Sequence, residues 1–322
     1  MKLMNIGGAT AIVEHQGKRM LFDPWVNEGI LHGSWFHWPR LNVALSEIGR
    51  LDYIYISHIH EDHCAPGTIK HLNRDAKIII MDREPEIPNF VKRFLKINRF
   101  DFKKVHLIRP QTPTAIAPGL TVDMVTADPA HEYNYQIDSG LILKWGGKTL
   151  YNANDCAPYP GSINYIKKTY GTVDLALLPY AGGSGYLGCY ADLSHEEKLK
   201  ERNRIFDMRM KLFIDTIHDI APRKVMPFAD QYVIGGKRGY LNKYSPHAPS
   251  PGYVKDYLVA AGLDKKLVLL NSGQSYDLDA DSKNPDVPYY VHTAAEQEAY
   301  IRELETQEYD HDKVDMRDNI PI

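Results

Sequence analysis

Ser57-His58-Ile59-His60-Glu61-Asp62-His63 decides how the rest of the chain reads. His58, His60, Asp62 and His63 place four potential metal ligands within six residues. They follow an apolar run, residues 51–57, that reads as a buried strand. A loop leaving a strand presents its side chains from a rigid support. His58 and His60 are two apart, so on extended backbone they point to the same side. Asp62 and His63 follow in a turn and face a second position. The spacing suits one metal held by two imidazoles and a neighbouring metal held by a carboxylate and an imidazole.

Outward from this run the chain alternates between apolar strands and helical spacing. Residues 11–14 and 19–22 flank a turn at 15–18 and read as a hairpin that ends at Asp23-Pro24-Trp25. Residues 26–40 read as a loop, a flap packed on the core or the lining of a pocket, and Trp35 there is a candidate substrate contact. Short helices are expected at 66–73 and 89–98. Strands are expected at 76–81, 104–109, 120–126, 140–145, 148–152, 173–179, 224–228 and 266–270, with Gly146-Gly147 closing a hairpin. Ser194 and Glu197 form a capping box at the start of a long helix that runs to Pro222. Antiparallel hairpins mixed with intervening helices point to an α/β (α+β) sandwich with the helices outside.

The 322 residues carry 38 Lys+Arg and 41 Asp+Glu, a net charge of −3, with 43% hydrophobic and 25% charged residues. This composition supports a sizeable core and excludes a disordered or collagenous chain. It shows no basic excess of the kind that marks a nucleic-acid surface. Three cysteines without a CxxC pair argue against a disulfide scaffold or a cysteine-built zinc ribbon. With no signal-peptide pattern and no apolar run of membrane-spanning length, a cytoplasmic protein is expected. Between residues 296 and 318 nine acidic residues face three basic ones, which reads as a charged surface helix or loose tail. The expected organisation is therefore a catalytic domain over 1–275 followed by an acidic extension over 276–322.

The His-rich run resembles the signature of the metallo-β-lactamase superfamily, and other landmarks occur in that family's order. The implied fold is the αββα four-layer sandwich. His131, in Asp128-Pro129-Ala130-His131, matches the third histidine of the first metal site, and Asp155, in Asn152-Ala153-Asn154-Asp155, matches the aspartate that bridges two metals. Within the superfamily the chain resembles the catalytic domain of CMP-N-acetylneuraminate hydroxylases. The resemblance rests on residues 52–72, Lys148–Cys156, Ala181-Gly182-Gly183-Ser184-Gly185-Tyr186, and Met226–Val233. A more distant likeness runs to N-acylphosphatidylethanolamine phospholipase D and ascorbate-lactonase-type enzymes.

Two departures shape the functional expectation. Those hydroxylases carry a Rieske iron–sulfur domain, which needs two cysteines and two histidines. This chain opens on the hairpin without such a set, so an oxidative activity would draw electrons from a separate electron-transfer protein. Hydrolytic relatives place a histidine two residues after a proline in the later region, whereas Pro227 here leads to Ala229 and Asp230. Asp230, or else His247, is the nearest substitute as last ligand of the second site.

The ligands are all nitrogen and oxygen, so zinc, iron or manganese fits, as one ion or two. The primary expectation is a hydrolase acting with metal-activated water on a small, anionic or sugar- or nucleotide-linked substrate, with Asp62 as catalytic carboxylate. The alternative is a non-haem iron oxygenase. Gly183 and Ser184 are candidate substrate contacts through a glycine-rich turn. The basic run from Lys92 to Lys104 reads equally as an anion attractor or a solvated face, and Cys156 as a small buried residue.

Overall fold

The computed structural model describes residues 1–83, 87–130, 137–181, 185–229 and 232–313. Strands β1 (Lys2–Gly7), β2 (Thr10–His15) and β3 (Lys18–Phe22) form an antiparallel meander. The short strand β4 (Trp35–His37) stands apart from them. Then β5 (Tyr53–Tyr55), β6 (Lys77–Met81) and β7 (Lys104–Ile108) continue the sheet in parallel from β3. A second sheet holds β8 (Thr114–Ala117), β9 (Leu120–Thr126), β10 (Ser139–Trp145), β11 (Lys148–Asn152), β12 (Leu175–Pro179) and β13 (Lys224–Phe228). Strand β14 (Tyr232–Ile234) pairs with β4, and β15 (Ser275–Asp277) and β16 (Ser282–Asn284) extend the first sheet beyond β1. The first sheet thus has the order β16-β15-β1-β2-β3-β5-β6-β7 and the second β13-β12-β11-β10-β9-β8.

Strand alternation sorts the apolar residues into layers. From β5, Tyr53 and Tyr55 face the second sheet, while Ile54 and Ile56 face outward. From β10, Leu141 and Leu143 face the first sheet and Ile142 the opposite side. Phe22, Tyr55, Leu141, Leu175 and Phe228 are fully buried between the sheets. Outside the first sheet lie α1 (Pro66–Ile69) and α2 (Phe90–Ile97), the latter burying Val91 and Leu95. Outside the second lie α3 (Pro160–Tyr170), α4 (His195–Ile220) and α5 (Val254–Ala260). Helix, sheet, sheet, helix is the four-layer order expected. Each fully buried Leu, Ile or Phe contributes about 1.5–3 kcal/mol.

Local signals hold where both partners lie close in sequence. The Ser194 Oγ accepts from the Glu197 N–H at 3.2 Å, and Glu197 Oε2 accepts from the Ser194 N–H at 2.8 Å. The basic residues of α2 form its exposed face, and Cys156 is buried, its thiol pushed up by desolvation. Two expectations need correction. The 26–40 loop contains β4, whose partner β14 lies nearly two hundred residues away, beyond any local pattern. Residues 266–270 do not form a strand. They touch β13 through one bridge, Val225 to Leu267, before turning away. The acidic stretch, read as a charged surface helix or loose tail, carries a helix, α6 (Ala294–Glu303), whose Tyr300, with Leu304 just after it, packs against Phe36, Trp38 and Val233.

The boundary expected at 275 falls on the first residue of β15, which pairs with β1 through Lys2–Asp277, Leu3–Tyr276 and Met4–Ser275. Further along, Tyr309 is buried and its hydroxyl donates to the Gly235 carbonyl at 2.7 Å. Among the described residues no helix is long and apolar enough to cross a membrane.

Candidate metal centre

The His-rich loop leaves β5 at the edge of the two-sheet core, and a hydrogen-bonded turn shapes it. The N–H groups of His63 and Cys64 both donate to the His60 carbonyl at 2.9 Å. His58 is buried, with Nδ1 2.9 Å from Ser57 Oγ, which turns its Nε2 toward His60 Nδ1 at 2.8 Å. The same Nε2 lies 4.0 Å from an Asp155 oxygen, Oδ2. His63 turns the other way. Its Nε2 lies 3.2 Å from Asp155 Oδ2 and 3.5 Å from Asp62 Oδ2.

Two donor groups result, His58–His60–Asp155 and Asp62–His63–Asp155, each with ligand atoms within 4.8 Å of one another. Asp155 belongs to both. Its position follows from the turn after β11, where Asn154 adopts a left-handed conformation at φ 41°, which asparagine tolerates better than most residues. The Asn154 Oδ1 accepts from the Asp155 N–H at 2.7 Å, and its Nδ2 donates to the Ser139 carbonyl at 2.8 Å.

In the sequence Asp23 marks only the end of the first hairpin. Asp23 is fully buried and accepts from the Ser57 N–H at 2.7 Å, the Ser57 hydroxyl at 2.8 Å and His63 Nδ1 at 2.9 Å. A carboxylate inside a core needs such partners, and a charged residue directly after the apolar run 20–22 was the available signal. The contact fixes the proton of His63 on Nδ1 and leaves Nε2 to face Asp62 and Asp155. Asp138 was also missed. It is buried at the start of β10, with Oδ1 4.0 Å from His58 Nε2.

The electrostatics follow from burial and these contacts. Desolvation lowers the His58 imidazole well below its ordinary value, and the neighbouring His63 adds to the effect. Desolvation opposes charge on His63 too, but Asp155, Asp62 and Asp23 outweigh it and raise this ring well above its ordinary value. Burial works against charge on Asp155, yet His63, with His58 and His60, holds it below the usual carboxylate range. Burial, with the charge of Asp155, pushes Asp138 up to about 7.

Five expected residues, His58, His60, Asp62, His63 and Asp155, therefore meet around one point. His131, Gly183, Ser184 and Asp230 lie outside the described residues. Trp35 is partly buried, its ring stacked on Tyr232 at 3.5 Å. His247 meets the same tyrosine edge-on at 5.0 Å. Clustered imidazole and carboxylate atoms converging on a shared oxygen fit a divalent transition metal.

This fold and site define a metal enzyme of the metallo-β-lactamase superfamily, and the chain belongs to that superfamily: residues 18–228 match the β-lactamase superfamily domain model. It is 28% identical over 188 residues to an iron–sulfur protein of Mycolicibacterium smegmatis whose name assigns it a Rieske 2Fe-2S group, covering 58% of this chain and 35% of that protein. It is 26% identical over 232 residues to cytidine monophosphate-N-acetylneuraminic acid hydroxylase of Sus scrofa, covering 67% of this chain and 48% of the relative. The chain thus spans between about a third and a half of these relatives. Among solved structures it is similar to Igni18, a metallo hydrolase from Ignicoccus hospitalis, with a TM-score of 0.56, 20% identity and coverage of 86% and 98%. It is similar in fold to CmlA, a diiron β-hydroxylase from Streptomyces venezuelae, with a TM-score of 0.56, 16% identity and coverage of 84% and 53%.

Proposed function

We propose that the protein is a metal-dependent hydrolase acting with metal-activated water on a small anionic or sugar- or nucleotide-linked substrate. The observation that carries this reading is the sharing of one Asp155 oxygen by two donor groups. His58, His60 and Asp155 would hold one ion and Asp62, His63 and Asp155 a second, with His131 and Asp230 proposed to complete the two sets. A metal held there would lower the pKa of a coordinated water from about 15.7 towards 7 and so would supply a nucleophile near neutral pH. Asp62 keeps one-fifth of its side chain exposed and orients the attacking water or accepts its proton. Asp23 holds the His63 ring in the tautomer that presents Nε2. Gly183 and Ser184 are proposed to contact substrate.

A second reading is iron-dependent hydroxylation with electrons from an external protein. Two observations support it: the name of the porcine relative, and the two-histidine, one-carboxylate set of His58, His60 and Asp155, a donor type that suits non-haem iron. Metal analysis of protein purified without added metal or chelator separates the two. Zinc or manganese as the main metal, with ester or phosphodiester hydrolysis that tracks its re-addition, is the expected result. Iron at about two per chain, with no hydrolysis, would overturn the hydrolase reading in favour of the second.

A further inference from the structure

A cleft of about 640 Å³ opens between α4, residues 236–250 and the C-terminal helix α6. That volume is in the range of small-molecule sites, about 300–1,000 Å³. The superfamily match ends at residue 228, and apart from three α4 residues the cleft is lined by residues 239–302. What it recognises is therefore written in the part of the chain that the superfamily domain does not cover.

Its chemistry is uneven. Among the described residues, Arg202, Lys243 and Arg302 line it, against one carboxylate, Glu298. The Arg302–Glu298 contact is loose, at 3.9 Å, with both side chains largely exposed. Arg202 Nη1 donates to the Lys243 carbonyl at 2.9 Å, which ties these two cationic residues to one wall. Tyr240, Tyr253 and Tyr257 also line the cleft, at 62%, 38% and 37% exposure. Three exposed tyrosines on one concave surface offer aromatic area against which a ring can pack. Ser245 also lines the cleft, with its Oγ turned inward beside Gly185.

We propose that this cleft binds a ring-bearing phosphomonoester, with the phosphate held by the Lys and Arg side chains that line it and the ring against the tyrosines. Arginine and lysine together suit phosphate, arginine through paired N–H donors and lysine as a point charge. Aromatic faces suit a sugar or a base. A sugar phosphate and a nucleoside monophosphate share this chemistry, and the test distinguishes them.

Isothermal titration calorimetry on the full chain would use glucose 6-phosphate, uridine 5′-monophosphate, uridine and inorganic phosphate as probes. At least one ring phosphate binds, while uridine and inorganic phosphate bind at least about tenfold more weakly. Exchanging Lys243→Glu and Arg302→Glu together weakens binding by about tenfold or more, and Tyr257→Ala weakens it by a smaller factor. These side chains are exposed or small, and circular dichroism with thermal melting verifies the fold of each variant. The paired variant His58→Ala, His60→Ala binds as the unaltered protein does. No heat with either ring phosphate at millimolar concentration would overturn the proposal, as would unchanged affinity in the charge-reversed protein or inorganic phosphate binding equally well. Loss of binding in the His58/His60 variant would assign the ligand to the metal centre instead. The preferred ring phosphate names the ligand class.

Discussion

His60 and His63 lie three residues apart in one loop, yet they are held in opposite ways. His63 is buried, and its Nδ1 rests on Asp23, a carboxylate fixed by two further hydrogen bonds from Ser57. His60 is exposed, and the described contact of its ring nitrogens is with His58 Nε2, an atom it would share a metal with. One histidine is thus part of the protein's interior and the other waits at its surface. The lesson is that a metal centre has an anchored side and an adjustable side. The anchored side costs stability when altered, and the adjustable side costs metal.

Stability measured on metal-stripped protein sharpens this contrast. Asp23→Ala has the largest expected effect, about 3–5 kcal/mol, because it strands a buried imidazole with a raised pKa and two Ser57 donors. Chemical denaturation reads it, and a loss below about 1 kcal/mol would erase the distinction between the two sides. His63→Ala comes next at about 1–3 kcal/mol, since the Asp23 carboxylate loses one partner but keeps the Ser57 pair. His60→Ala is the smallest, within about 0.5 kcal/mol, as for most exposed positions. It nevertheless lowers metal content by about one equivalent. A large destabilisation by His60→Ala would show that the exposed ring also supports the fold.

The same contrast explains what was legible in the sequence. His58, His60, Asp62 and His63 stand within one loop, so their spacing alone pointed to a candidate metal centre. The two sheets were largely legible too, because the alternation in runs such as 120–126 and 141–145 is written locally. What stayed hidden depends on residues brought together from afar. Asp23 meets Ser57 and His63 across 34 and 40 positions. Strand β4 finds its partner only at Tyr232–Ile234. The tail was read from its charge, but Tyr300, Leu304 and Tyr309, spaced among the acidic residues, decide where it packs. Asp138 sits in a stretch with no motif, and only the fold brings it to His58.

The central claim is that Asp155 serves both donor groups with one oxygen. Metal analysis of Asp155→Ala beside the unaltered protein tests it most directly. The account predicts about two equivalents in the unaltered protein and a fall of both in the variant, to less than about half an equivalent in total, with the fold retained by circular dichroism. A variant that keeps one full equivalent, or both, would contradict the sharing of Asp155.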